Sequence, residues 1–530
     1  MIELLAVVVV VAPALAGLGA WFTSPQTAAR LVLAGYLASL VAGLGLAGVV
    51  FAGGPVRGLG DLVAVDALGA YVLVLVLAVT GIALAGSPAH LAHDGHGPAS
   101  PGAPGSRDLG SAGSPDPGSA GSRDHARYYA LLAWFAAGLA AVPLLDSLGL
   151  VWVAVEATTI VSALLVGYAR TQQAIEAAWK YLILGSIGIG FALLGTLLLY
   201  ASSVGVLGET SDALAWTRLV GIASQLDPAF VRLAFIFALA GYGTKAGLAP
   251  FHTWLPDAHS QAPSPISAML SGAALAVSLY ALARFHLVAS GAMGPGYSST
   301  LLVVFGLLSL AVALPFIVAQ GDLKRLFAYS SIEHLGLATL ALGFGGQLAL
   351  LGFTLHLFSH GLTKATVFLA AGRLVAERGS HRIGRMTGSL ARSPLEGRAL
   401  VVGALVLAGL PPSGIFVAEL AILLGGVDRG FGFAAAAAAV ILALAMAGLL
   451  FHVVRIAVGP SGRRAAARAG AAVDDVPAEA PARRGRWSSV AGAALLGGPL
   501  AAVIILGLWT PSPLRAVLDQ VVLVLGGGGG

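Results

Sequence analysis

The sequence contains 530 residues, of which 58% are hydrophobic and 10% are charged. A soluble domain needs a larger charged surface to stay dispersed, so this composition excludes a soluble protein and indicates a polytopic membrane protein. The sequence has no cysteine, which excludes thiolate-held iron–sulfur clusters, nickel sites and disulfides, so any redox chemistry must belong to a partner.

The first apolar run, MIELLAVVVVVAPALAGLGAWF, has two interpretations. It contains ALA, which a signal peptidase could cleave. Signal peptides open with positive charge, whereas the charge nearest the start here is Glu3. We therefore favour a first membrane helix that is retained.

A membrane-spanning helix needs about 20 apolar residues, and polar or Gly/Pro-rich breaks divide the chain into candidate spans of that kind. The 14 candidates lie at residues 2–22, 30–52, 63–86, 128–145, 147–168, 179–203, 231–250, 263–288, 300–319, 326–345, 348–372, 399–424, 431–455 and 488–509. The sequence thus predicts an all-α polytopic membrane protein with about 14 transmembrane helices.

The distribution of Lys and Arg tests this assignment. If both termini face outward, 21 of the 29 basic residues fall in the loops of one side and six in those of the other. The remaining two, Lys245 and Lys364, lie within spans. Because basic residues concentrate in cytoplasmic loops, the bias supports 14 spans with the termini on the outer side.

Two polar segments interrupt the apolar pattern. Residues 88–126 form a Gly/Ser/Pro/Asp tract that cannot bury apolar surface, and we expect a disordered cytoplasmic loop there. Residues 459–487 are basic at both ends and are expected to form a cytoplasmic linker before the last span.

Two segments share the order A-G-L followed by proline: TKAGLAPFHTWL (244–255) and LAGLPPSGIFVAEL (407–420). Five spans separate them, so the two copies would cross the membrane in opposite senses. Interrupted helices at matching points of inverted halves are typical of a transporter's ion site. Either segment alone could equally be a kinked helix, and the pairing favours the functional interpretation.

Five ionisable residues fall well inside spans: Glu156, Lys245, Glu333, Lys364 and Glu419. Each would cost roughly 2.5–3.5 kcal/mol near the bilayer centre if it were unpaired. They must therefore face one another or water inside the bundle, and function is the favoured reason for keeping them.

Glu156 in the fifth span and Lys245 beside the interruption of the seventh are predicted to pair across a helix interface. The partner keeps both groups charged, and separation in a dry interior would make the lysine release its proton. A static ion pair is the alternative, although desolvation makes it a poor way to stabilise a fold.

The segment HLFSHGLTKA places His356, His360 and Lys364 at successive i, i+4 steps along one helix face. Imidazole accepts and donates protons near neutral pH, so we interpret this stripe as a proton relay. The two histidines could also ligate a metal, but no carboxylate lies on that face, and no metal site is predicted. A third interpretation is that they merely bond to neighbouring helices.

Glu333 and His334 lie in the tenth span, which corresponds in the second half to the fifth span with Glu156; AVEAT matches SIEHL loosely. We predict that Glu333 is the acid of the second half and that His334 joins the relay toward Lys364. Glu419, just past the second interruption, would end the relay toward a neighbouring subunit or the outside.

The segments FHTWLPDAHSQAPSPISAML (251–270) and GDLKRLFAYSSIEHLG (321–336) resemble the antiporter-like membrane subunits of respiratory complex I, Mrp-type antiporters and membrane-bound hydrogenases. The Glu-His pair in SSIEHLG is similar to component F of hydrogenase-4. The resemblance implies fourteen helices, two inverted five-helix repeats, and broken helices seven and twelve. It divides the chain into N-terminal helices 1–3 (1–87), the loop (88–126), a first repeat (127–290), a second repeat (299–458), the linker (459–487) and the last helix with its tail (488–530).

The resemblance also implies that Glu156, Lys245, His356, His360, Lys364 and Glu419 match functional positions of the family. One departure concerns Ala276, which stands where complex I members usually place a lysine. Hydrogenase-type members tend to lack that lysine as well. A continuous lysine relay through the centre is therefore in doubt, and water or Ser278 would have to bridge it.

These observations predict a proton-translocating, antiporter-like membrane subunit of a hydrogenase-4-like or NADH dehydrogenase-like oxidoreductase. The chain is expected to hold no cofactor and no redox centre. Expected partners are other membrane subunits, a peripheral iron–sulfur/hydrogenase or dehydrogenase arm, and the bilayer of a prokaryotic plasma membrane, with no nucleic acid. An Mrp-type sodium/proton antiporter subunit and a scaffold whose buried charges merely lock subunits together are the alternatives.

Overall fold

The computed structural model describes residues 1–94, 117–458 and 490–527, except for the side chains of residues 93, 94 and 117–122. Most of the predicted loop and all of the predicted linker lie outside the described residues. The α-helices are α1 (Ile2–Trp21), α2 (Pro25–Gly53), α3 (Ala67–Asp94), α4 (Pro117–Ala141), α5 (Leu148–Val166), α6 (Gln172–Leu207), α7 (Trp216–Gly221), α8 (Pro228–Ala246), α9 (Trp254–Gln261), α10 (Ser264–Met269), α11 (Leu275–Met293), α12 (Gly296–Val318), α13 (Leu323–Phe344), α14 (Gly346–Arg378), α15 (Ser389–Arg392), α16 (Pro394–Leu407), α17 (Gly414–Asp428), α18 (Gly432–Val458), α19 (Val490–Leu508) and α20 (Ser512–Leu525).

Each of the 14 predicted spans falls on one or two of these helices. Eleven helices in the described part of the chain are long and apolar enough to cross a membrane, with α10 and α11 counted as one. Helices α13 and α14 are long enough but carry many buried polar side chains, and α16 and α17 contain only 14 and 15 residues. A polytopic helical membrane protein is thus confirmed, while the count of fourteen spans stays a prediction.

Two helices are interrupted where the paired A-G-L motifs predict interruptions. Helix α8 ends at Ala246, followed by Gly247 in the left-handed conformation, and helix resumes with α9 at Trp254. Helix α16 ends at Leu407, and α17 begins at Gly414 after the cap residue Ser413, whose hydroxyl accepts a hydrogen bond from the Phe416 amide at 3.2 Å. Both interruptions leave helix-terminal backbone groups inside the bundle, where side chains can bind to them.

Helices α10 and α11 lie at the centre of the bundle and are joined by a π-helical turn at residues 270–274. The most apolar 18-residue stretch of this span is completely buried, whereas only 22% of the residues in the corresponding stretches of α1 and α19 are buried. Helix α13 packs closely on α12, because Gly306 faces Gly336 and an added Cβ on Gly306 would lie 2.8 Å from the Gly336 carbonyl oxygen. Of the residues predicted to be functional, Glu333, His334, His356, His360 and Lys364 lie on α13 and α14, most of whose residues are buried.

A buried ion pair joins α11 to the start of α3. The Arg284 guanidinium donates to both carboxylate oxygens of Asp66, at 2.6 and 2.7 Å, and lies 3.7 Å from the centroid of the Trp216 ring. The sequence analysis counts Arg284 among the six basic residues in the loops of the outer side, but the residue is fully buried in α11. Its aliphatic stem and flat charged group fit between aromatic rings while Asp66 neutralises the charge.

Two elements were not predicted. Residues 56–58 and 63–65 form a two-stranded antiparallel hairpin, so the third helix begins later than the predicted span. Helix α20 is amphipathic: it buries an apolar face that includes Leu518 and Val521, and Gln520 donates to the Phe51 carbonyl at 3.1 Å. The sequence analysis assigns these residues to the tail that follows the last helix.

Charged side chains from different segments of the chain meet near the two ends of the bundle. At one end Asp257 in α9 contacts Arg325 at the start of α13 and lies 3.6 Å from Lys180 of α6. At the other end lie the hairpin and the Asp66–Arg284 pair. Helix α3 extends into the predicted loop as far as Asp94.

Candidate functional site

The first buried lysine, Lys245, lies in the last turn of α8 and is held by hydroxyl groups. Its Nζ donates to Thr159 Oγ1 on α5 at 2.8 Å and to the Tyr181 hydroxyl on α6 at 2.6 Å. The Tyr181 hydroxyl lies 2.8 Å from Ser162 Oγ, and its ring packs 4.5 Å from that of Trp254. Three helices and the segment after the interruption thus fix the position of this ammonium group.

Glu156 does not pair directly with Lys245 in this structure. Its Oε1 accepts a hydrogen bond from Ser186 Oγ at 2.7 Å, and its Oε2 is buried with no hydrogen-bond partner within the described residues. No nitrogen–oxygen contact of 4.0 Å or less joins the two side chains, which are both described. The predicted direct pair is wrong for this conformation, because α5 turns Thr159 rather than Glu156 toward the lysine.

The second buried lysine, Lys364 on α14, is held in a similar way by α13. Its Nζ donates to the Phe327 carbonyl oxygen at 2.7 Å and to Ser330 Oγ at 2.9 Å. Glu333 lies three residues beyond Ser330 on the same helix and is also buried. In both halves the lysine therefore binds to a hydroxyl that is three residues from a glutamate, which is half-buried in the first half (Glu156) and buried in the second (Glu333).

Three histidines form a cluster next to Lys364. His334 Nδ1 lies 3.2 Å from His356 Nε2, and the ring centroid of His334 is 5.2 Å from that of His360. His356, His360 and Lys364 follow one another along α14 as the i, i+4 spacing predicts. One nitrogen of each histidine ring is buried with no hydrogen-bond partner among the residues the structure describes. The structure thus brings together the predicted relay residues of α13 and α14.

Glu419 reaches this cluster from α17. Three ligand atoms, one each from Glu419, His334 and His356, lie within 4.8 Å of one another. The two histidines are buried, and Glu419 is partly exposed. Gly409 makes room for the carboxylate: it has φ +65°, and an added Cβ would lie 2.2 Å from Glu419 Oε2. The interruption between α16 and α17 therefore positions the Glu419 carboxylate. Together with the imidazole nitrogens of His334 and His356, this carboxylate could hold a cation.

The centre of the bundle joins the two halves through hydroxyl groups. Ser271 in the π-helical turn lies 2.8 Å from Ser331 Oγ on α13. Ala276 is buried, and Ser278 donates to the carbonyl of Ala274 in its own helix at 2.9 Å. The Ser278 hydroxyl therefore donates within its own helix. The Ser271–Ser331 contact, which the sequence analysis missed, joins the π-helical turn before α11 to α13, the helix whose oxygens bind the Lys364 ammonium.

His259, in α9, is a further buried group that the sequence analysis did not single out. Both ring nitrogens are buried without a hydrogen-bond partner in the described part of the chain, and the ring stacks on Phe368 at 5.2 Å. Lys324 lies on the same side and donates to the Ala262 carbonyl at 2.6 Å. His259 is the second histidine of the HTWLPDAH segment, which the sequence analysis used only to identify the family resemblance.

The fold and these clusters define a polytopic membrane protein with two sets of titratable side chains buried beside two interrupted helices. Residues 146–445 match the sequence profile of the transmembrane region of NADH:quinone oxidoreductases and Mrp antiporters, and the chain belongs to this family. The match extends over more than half of the chain and confirms the predicted resemblance.

Comparisons with individual proteins agree with this assignment. The chain is 44% identical over 299 residues to a hydrogenase-4 component F homolog of Methylacidiphilum infernorum, covering 56% of this chain and 62% of the relative. It is 35% identical over 310 residues to NADH-quinone oxidoreductase subunit N of Desulforudis audaxviator, covering 58% and 60%. The chain thus spans about three fifths of the length of these curated relatives.

The fold has a counterpart in a solved structure. A chain of the membrane-bound sulfane sulfur reductase, an archaeal respiratory membrane complex, superimposes with a TM-score of 0.78 over 98% of this chain and 97% of that one. The two are 20% identical, so the likeness concerns the fold.

Proposed function

We propose that the chain is a proton-translocating, antiporter-like subunit of a hydrogenase-4-like or NADH dehydrogenase-like oxidoreductase complex. Electron transfer would occur in partner subunits, and this chain would convert the energy released there into proton movement. Family membership and the similarity to a component of hydrogenase-4 support the proposal.

The observation that carries the proposal is the arrangement of Lys245 and Lys364. Each ammonium binds to hydroxyl or carbonyl oxygens rather than to a carboxylate, yet a glutamate that is at least half-buried lies on the same neighbouring helix. Residues three apart on a helix are separated by about 4.5 Å along its axis. A lysine side chain can bridge that distance by changing rotamers, so each lysine has two neighbouring binding positions.

Proton movement would follow from switching between these positions. Beside Glu156 the Lys245 ammonium would be stabilised by an opposite charge, and on Thr159 and Tyr181 it has only neutral acceptors. Losing the carboxylate therefore favours release of a proton from the lysine. In the second half Lys364 would switch between Ser330 and Glu333 in the same way.

The histidine cluster would carry the proton onward. His334 and His356 are within hydrogen-bonding distance, and neutral imidazoles accept a proton on one nitrogen and donate from the other. We assign the path from Lys364 through His360, His356 and His334 to Glu419. The partly exposed Glu419 would pass protons to a neighbouring subunit or to the outside.

The decisive test replaces Lys245 with alanine. We expect Lys245→Ala to abolish proton pumping in vesicles while the complex still assembles, and Lys180→Ala, which removes an accessible lysine of α6, to pump normally. Normal pumping by Lys245→Ala would refute the relay. Loss of assembly before loss of transport would support the scaffold alternative.

An Mrp-type sodium/proton antiporter subunit is the second candidate, because the family profile covers both classes. The two make different predictions in vesicles. An antiporter would dissipate an imposed pH gradient when sodium is added, whereas a redox-driven pump would acidify the vesicles only during electron transfer.

We further propose that the fold contains two inverted five-helix repeats. Its partners would be other membrane subunits and a peripheral iron–sulfur arm. The chain would lie in a prokaryotic plasma membrane with its termini on the outer side. The grouping of Lys180 and Arg325 at one end of the bundle supports this orientation. Mild solubilisation of native membranes followed by mass spectrometry would identify the arm. A nickel-type large subunit would indicate a hydrogenase-like complex, and an NADH-oxidising module would indicate complex I.

A further inference from the structure

We propose that His334, His356 and Glu419 form a binding site for a zinc-type divalent cation within the bundle. Their ligand atoms come from three helices, α13, α14 and α17, and lie within 4.8 Å of one another. The spacing of the two histidines along the sequence could not show this, because the carboxylate comes from another helix.

The distance between the two ring nitrogens suits a tetrahedral metal ion. Zn²⁺ binds imidazole nitrogens at about 2.0–2.1 Å, so two nitrogens of one tetrahedral site lie about 3.3 Å apart. His334 Nδ1 and His356 Nε2 are 3.2 Å apart. Both rings are buried, and their facing nitrogens already have the separation that one ion would require.

The donor set selects the class of cation. Two imidazole nitrogens and one carboxylate oxygen suit Zn²⁺ and related transition metals, whereas Na⁺, Mg²⁺ and Ca²⁺ prefer oxygen ligands. His360, whose Nε2 has no hydrogen-bond partner in the described part of the chain, is near enough to His334 to compete with water for the fourth position.

The position of Glu419 provides a way in. Glu419 is partly exposed as a residue while both histidines are buried, so an ion would meet Glu419 first. The carboxylate also compensates part of the charge that a dication brings into the membrane interior.

Bound zinc would block the relay, a consequence that rests on the proposed function. Proton transfer between His334 and His356 requires a lone pair on one of the facing nitrogens, and zinc would occupy both. We therefore expect Zn²⁺ to inhibit proton pumping while electron transfer in the partner subunits continues or becomes uncoupled.

The test uses the purified complex and Zn²⁺ itself. Zinc binding is measured by metal analysis after equilibrium dialysis for the wild type, His356→Gln, Glu419→Gln and the control His286→Gln, which removes a buried imidazole of α11 outside the cluster. Native gels confirm assembly of each variant. We expect His356→Gln and Glu419→Gln to weaken binding by about 100-fold or more, since replacing a residue that only hydrogen-bonds to a metal ligand already costs 10–100-fold. We expect His286→Gln to bind zinc as the wild type does.

X-ray absorption at the zinc edge of the wild-type complex needs no variant and serves as the second measurement. Two imidazoles and a carboxylate oxygen around the ion would support the site. Equal zinc binding by wild type and both site variants, or a zinc shell without imidazole, would overturn it. If zinc binds at this site and pumping is undiminished, the site is supported and the proposed inhibition is refuted. Failure of the proposed function would show separately, as normal pumping by Lys245→Ala.

Discussion

Replacing Tyr181 with phenylalanine tests whether the hydroxyl groups around Lys245 serve proton transfer. The change removes one oxygen that accepts a 2.6 Å hydrogen bond from Lys245 Nζ and keeps the ring, whose centroid lies 4.9 Å from that nitrogen. Thr159 Oγ1 remains as the other acceptor, at 2.8 Å. The variant therefore alters the stability of the charged lysine with little change in packing.

The expected magnitude follows from the charge on the donor. A hydrogen bond to a charged group contributes roughly 1.5–3 kcal/mol, and a factor of ten corresponds to about 1.4 kcal/mol. The charged form of Lys245 in this position should become about 10- to 100-fold less populated. If that form carries the proton, pumping falls by a similar factor.

The assay compares proton uptake with electron transfer in inverted vesicles, so that the ratio of protons to electrons is measured. Tyr36→Phe is the matched control, because it removes a tyrosine hydroxyl that donates to the neutral Leu77 carbonyl at 3.1 Å, away from the buried lysines. We expect Tyr36→Phe to keep the ratio. A ratio for Tyr181→Phe within about twofold of the wild type would refute the role of this hydroxyl.

Two further predictions concern the fold and its orientation. Arg284→Ala should lower the stability of the detergent-solubilised protein by about 3–5 kcal/mol, because it leaves Asp66 buried without its partner; a melting temperature equal to that of the wild type would contradict this. Because the sequence has no cysteine, a single cysteine can be placed at Thr210 or at Gly384 and labelled with a membrane-impermeant reagent in intact cells. We expect Thr210→Cys to react and Gly384→Cys to react only after the cells are opened, and the reverse pattern would invert the proposed topology.

The hydroxyl contacts of Lys245 and Lys364 change how the charged residues should be understood. A permanent Glu156–Lys245 ion pair would have suggested a structural lock. Instead each ammonium is held by neutral oxygens, which bind a buried cation less firmly than a carboxylate does. This arrangement suits groups that change partners, and it makes the neutral ligands as important to test as the charges themselves.

The sequence by itself determined the class of protein and most of the helices. Long apolar runs can satisfy their backbone hydrogen bonds in a membrane only as helices, so composition alone predicts the architecture. It also indicated both interruptions, because the same order of A-G-L followed by proline occurs in both halves, and proline lacks the backbone N–H that would continue a helix. The stripe of His356, His360 and Lys364 followed directly from helical periodicity.

The tertiary structure decided which groups touch. Glu156 and Thr159 lie on one helix, and only the rotation of α5 against α8 shows that the threonine binds Lys245. Helix α20 and the hairpin escaped prediction because packing on neighbouring helices, rather than local apolarity, stabilises them. Glu419 joins His334 and His356 because an interrupted helix brings residues far apart in the sequence into contact, and no local pattern carries that information.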